Sequence, residues 1–89
     1  MGKLNYTQFF KKNESETEHE KEVRDVIAKV YEALSKKGYN PSYQIVGYIL
    51  SGDPTYITSY NNARTLIGKI ERDELLQEIL DCYINTRLK

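Results

Sequence analysis

The sequence predicts an all-α fold: a compact small domain of four main helices and one short helical turn over residues 17–89, preceded by a flexible N-terminal arm over residues 1–16. Three observations predict it. Apolar residues recur at intervals of three and four from Val23 to Leu34, and a similar stripe runs from Ala63 to Ile84. Between them, Asn40-Pro41 and Asp53-Pro54 give two helix-start signals in quick succession.

The arm, MGKLNYTQFFKKNESE, is mostly polar and keeps no sustained period, apart from a small aromatic cluster at Tyr6, Phe9 and Phe10. Such a composition predicts a mobile terminus with one adhesive segment. From Thr17 the pattern changes. Val23, Ile27, Val30, Tyr31 and Leu34 fall on one stripe of an α-helix. On the other face Glu20 with Arg24, Asp25 with Lys29 and Glu32 with Lys36 stand four apart, and each such pair contributes about 0.2–0.5 kcal/mol to a helix. Glutamates crowd the first turns, Lys36 and Lys37 the last, and Gly38 follows as a left-handed stop.

The next stretch, GYNPSYQIVGYILSGDP, contains the run YQIVGYIL, which fits a buried strand or a short helix. Asn40 decides for the helix: its side chain can accept from an unpaired N–H, and Pro41 at the first helical position has no N–H to leave unpaired. Tyr43, Val46, Gly47 and Leu50 then share a face, with Ile45, Tyr48 and Ile49 beside it. A helix apolar nearly all round is a buried one. Tyr43, Ile45, Val46, Tyr48, Ile49 and Leu50 are therefore expected in the core or in an interface, with Ile45, Val46, Ile49 and Leu50 the first choices for core. Gly52 ends the helix, and Asp53-Pro54 opens a short helical turn. After the irregular ITSYNN, Ala63, Leu66, Ile67 and Ile70 begin another helix. Asp73 caps or interrupts what comes next, where Leu76, Ile79, Leu80, Tyr83 and Ile84 continue a stripe nearly to the end.

Totals narrow the function. A chain of 89 residues is one domain, and a domain of this size buries only about 60–65% of its unfolded surface, so burial against a second copy is expected. Thirteen basic and thirteen acidic residues cancel, leaving no field to attract nucleic acid or an anionic membrane. The helices after Gly38 carry only Arg64, Lys69, Arg72, Arg87 and Lys89 against six acids. No apolar run approaches the length of a membrane span, and the start lacks the apolar core of a signal peptide, so the expected location is the cytoplasm. His19 in EHEK reads as a solvated side chain, and Cys82 as a small buried thiol beside an apolar stripe. One histidine and one cysteine make no zinc set, and the glycines at 47, 52 and 68 form no phosphate loop. No catalytic residue, metal or cofactor is expected. Five tyrosines, at 39, 43, 48, 56 and 60, crowd the middle of the chain, as ordinary half-buried packing or as an interface.

The run KGYNPSYQIVGYILSGDPTYI, followed by YNNAR and ERDELLQEIL, resembles the IreB family of small bacterial regulatory phosphoproteins over about residues 30–84. KGYNP, QIVGY and LSGDP carry the resemblance in order and spacing. It implies a compact helical homodimer without catalytic activity that is the substrate of a membrane-anchored Ser/Thr kinase with PASTA repeats. It also implies a cognate phosphatase and a pathway of cell-wall stress and antibiotic tolerance. Family phosphorylation falls in a pattern like TDETxxF, onto which Thr7 and Phe10 map. Leu4 stands at the position of a second threonine, Asn5 and Tyr6 replace the acids, and Asn62 replaces an Asp. The expected switch is therefore Thr7, a phosphate there changing the arm's charge and its docking to the helical body or to a downstream protein. The alternative is a constitutive dimeric helical adaptor without phosphorylation control.

Overall fold

The computed structural model describes residues 17–89, and among these every regular element is helical. Helix α1 spans Glu18–Lys36, α2 Pro41–Ser51, α3 Ala63–Gly68 and α4 Arg72–Tyr83. Two 3-10 turns, Pro54–Tyr56 and Tyr60–Asn62, link α2 to α3, and a π-helical turn, Ile84–Leu88, follows α4. The expected arm over 1–16, with Thr7, lies outside the described residues.

Each start has a local cause. Thr17 caps α1: its Oγ1 accepts from the Glu20 N–H at 3.0 Å, and Glu20 Oε1 accepts from the Thr17 N–H at 2.9 Å. This reciprocal pair satisfies two N–H groups that the helix itself leaves unbonded. Asn40 starts α2 as expected, with Oδ1 accepting from the Tyr43 N–H at 3.1 Å, so YQIVGYIL is helix. Gly52, at φ 75°, ends it in a conformation that glycine adopts at no steric cost. Asp53 Oδ1 accepts from both the N–H and the hydroxyl of Thr55 and fixes the Pro54 turn. Asp73 is not the cap of the last helix. Glu71 is: its N–H donates to Glu74 Oε1 at 3.2 Å, and Asp73 sits in the first turn.

The core forms where α1 crosses the rest. Val23, Val26, Val30, Ala33 and Leu34 of α1 are buried with Tyr48 of α2, Ile57 of the connecting segment, Ala63 and Ile67 of α3, Ile70, and Leu75 of α4. The buried stripe of α1 is thus turned from the expected one. Val26 and Ala33 point inward, Ile27 is half-buried, and Tyr31 is 59% exposed. The physical reason is α3, against which α1 packs more extensively than against any other helix. α3 is short and carries Ala63 at its start, and small residues at a contact let two helices approach closely. Along the charged face Asp25 pairs with Lys21, at 4.0 Å, instead of with Lys29.

The end of α2 and the connection after it are held by side chains from three helices. Gln44 Nε2 donates to the Tyr56 carbonyl at 2.8 Å, Arg64 Nε to the Ile57 carbonyl at 2.9 Å, and Arg72 Nη1 to the Ile49 carbonyl at 2.9 Å. Gly47 lies directly against the ring of Tyr56: a Cβ added there would sit 2.3–2.8 Å from three ring carbons. Asn61 and Asn62 both have positive φ, 52° and 63°, a region in which Asn and Asp are the most tolerant of the non-glycine residues. Asn62 therefore keeps the backbone that an Asp at the same place would adopt.

Candidate functional site

Three surfaces remain once the core is closed. The outer face of α2 carries Tyr43, Val46 and Leu50, three and four residues apart and 72%, 52% and 79% exposed. On α4, Leu76, Ile79, Leu80 and Tyr83 repeat the same spacing, also exposed. The third surface is a groove of about 550 Å³ between α1, the start of α2 and α4, walled by Ile27, Ala28, Tyr31, Pro41, Ile45, Ile79 and Cys82. Arg24 and Glu78 reach across from α1 and α4 and meet at 3.7 Å at its edge.

The six α2 residues expected in core or interface therefore divide by face. Tyr48 is buried, and Ile45 and Ile49 are half-buried against the core. Tyr43, Val46 and Leu50 point away from it. Val46 and Leu50, expected as core, are a correction: an eleven-residue helix lying on one side of α1 turns only part of its circumference inward. The stripe of α4 faces outward, and of that helix only Leu75 is buried. Cys82 is a second correction: its thiol is exposed because that end of α4 borders the groove. Sequence reasoning missed the groove altogether. Its walls come from helices that are distant in the chain, and no local spacing signals them.

His19 is not merely solvated. Its Nε2 lies 2.9 Å from Glu74 Oε2, and its Nδ1 3.5 Å from Glu22 Oε1. Glu74 thus accepts from the N–H of the cap residue Glu71 with one oxygen and clasps the start of α1 with the other. The hydrogen bond to Glu74, then its charge, raise the pKa of His19, and the same bond lowers that of Glu74. Among the described residues no group of three His, Cys, Asp or Glu side chains is placed to hold a metal ion, and no helix is long and apolar enough to cross a membrane.

These features define a small all-helical module whose outward chemistry is apolar surface on α2 and α4. Residues 5–85 match the IreB regulatory phosphoproteins, and the chain belongs to that family. It is 55% identical to a UPF0297 protein of Lachnoclostridium phytofermentans over 89 residues, covering 100% of this chain and 98% of the relative. A UPF0297 protein of Ruminiclostridium cellulolyticum is 52% identical over 81 residues, 91% of this chain and 89% of its own. One of Acetivibrio thermocellus is 62% identical over 69 residues, 78% and 77% of the two chains. The expected resemblance is therefore a family membership, and it assigns the chain a regulatory role.

Proposed function

We propose that the chain is a cytoplasmic, non-enzymatic regulator that acts as a homodimer and is switched by phosphate on Thr7. A PASTA-type transmembrane Ser/Thr kinase adds the phosphate and a cognate phosphatase removes it, in signalling of cell-wall stress and antibiotic tolerance. The observation that carries this reading is the exposed apolar face of α2 and α4 on a chain of the regulatory phosphoprotein family. Isolated apolar side chains on a surface are ordinary, but sets of them at helical spacing on two helices mark a docking face. A second copy as occupant would add to the limited burial of a domain this small.

The switch is electrostatic. A phosphate adds about −1.5 to −2 charges at neutral pH, beside Lys3, Lys11 and Lys12 of the arm. It changes what the arm binds without refolding the helical body. Incubation with the kinase and ATP, followed by mass mapping, should place one phosphate on Thr7; a chain returned without it leaves the switch unsupported. The absence of the family's second threonine, at Leu4, and of the acids, at Asn5 and Tyr6, favours the second reading, a constitutive dimeric adaptor. Equal recovery of the downstream partner by wild type, Thr7→Ala and Thr7→Glu would select the adaptor.

A further inference from the structure

The groove between α1, α2 and α4 has walls but no occupant among the described residues, and the chain itself carries a segment that suits it. We propose that the N-terminal arm folds back into this groove, seating Phe9 and Phe10 on Ile27, Ala28, Ile45 and Ile79, and that phosphate on Thr7 releases it. The docking half stands alone; the release half rests on the phosphorylation reading above.

Reach permits it. Phe10 is seven residues ahead of Thr17, and seven extended residues span at most about 23–25 Å. Ile27 and Tyr31, the groove residues of α1, lie about 15 and 21 Å along its axis from Thr17 at 1.5 Å per residue. An arm returning antiparallel to α1 is therefore long enough to bring its aromatic pair level with the groove. The family match begins at residue 5 and so takes in NYTQFF together with the helices.

The groove is a concavity of about 550 Å³ that admits side chains from an extended segment. The phosphate opposes docking. Two residues before Phe9, it would have to shed its hydration beside apolar walls, and a buried charge without a partner is strongly disfavoured. Arg24, the one basic residue lining the groove, is already engaged by Glu78.

The chain holds its own reporter, since its single cysteine, Cys82, lines the groove and is exposed. A covered groove slows its reaction with a chromogenic disulfide reagent. A segment that must be ordered on docking loses much of its gross gain, so the full-length chain should react about five- to tenfold more slowly than the full-length double variant Phe9→Ser/Phe10→Ser. Thr7→Glu should react nearly as fast as that variant. Equal rates for wild type and the double variant overturn the docking. A rate that falls with protein concentration equally in both shows a second copy in the groove and overturns it too. A slow Thr7→Glu overturns the release. Failure of the kinase to modify Thr7, by contrast, removes the regulatory reading and leaves the Phe9/Phe10 comparison intact.

Discussion

Leu34 has no exposed surface, while Leu50 keeps 79% of its surface open, and the contrast sets what single changes should do. Leu34→Ala removes buried methyl groups and leaves a cavity in the core that Leu34 shares with Val30, Ile57 and Ile67, at a cost of about 2–5 kcal/mol. Urea denaturation at fixed protein concentration should show a large fall in midpoint for Leu34→Ala and little for Leu50→Ala. His19 makes a prediction of the opposite kind, in pH. Its pKa is raised in the folded chain, by its hydrogen bond to Glu74 above all. Its contribution is therefore complete below the ordinary value of 6.5 and is lost as pH rises through the raised value above that. Glu74 is lowered by the same bond, so its contribution is present above the ordinary carboxylate range and fades only in acid, through the depressed value. Between the two the clasp is complete. His19→Gln should flatten the loss of Tm on the alkaline side of that window, and a profile identical to wild type would exclude the clasp. None of this was legible in EHEK: Glu74 stands fifty-five residues away, and spacing in sequence carries no information about such a partner.

At the level of the elements, the signals that act within one turn were the readable ones. Asn40-Pro41, Gly52 and Asp53-Pro54 each lie where the expected start or stop falls, because a cap is made by a side chain and a backbone N–H two or three residues apart. Asn40→Ala should cost about 0.5–2 kcal/mol with the helix content unchanged, measured by denaturation together with circular dichroism. Periodicity was readable to within a turn but not to a face. On α1 the stripe through Val23, Val30 and Leu34 is correct, but its flank passes to Val26 and Ala33 instead of Ile27 and Tyr31. Apolar content measures how much a side chain gains by burial, and an alanine gains little; what buries Ala33 is the closeness of another helix. On α4 the stripe is real and points outward. A periodic apolar face says only that the helix has a preferred side, and nothing in the residues says whether this chain or another molecule covers it.

For the whole molecule the consequence is that a core built on α1 leaves two helices with unspent apolar surface. Leu50→Glu combined with Leu80→Glu sets carboxylates on both exposed ridges, where neither side chain belongs to the buried core. Sedimentation equilibrium near micromolar concentration should give a dimer for wild type and a monomer for the double variant, each with the same helical circular dichroism. A monomeric wild type would remove the dimer. A dimeric double variant would move its interface off these ridges.

The close approach of Gly47 to Tyr56 reaches beyond this one chain. The two positions occupy a single volume, so a chain of this fold that carries a methyl group at the first has to carry something slimmer than a tyrosine at the second. Grafting either position alone from such a chain into this one would bring two atoms into the same space or leave a hole, and only an exchange of both would restore the fit.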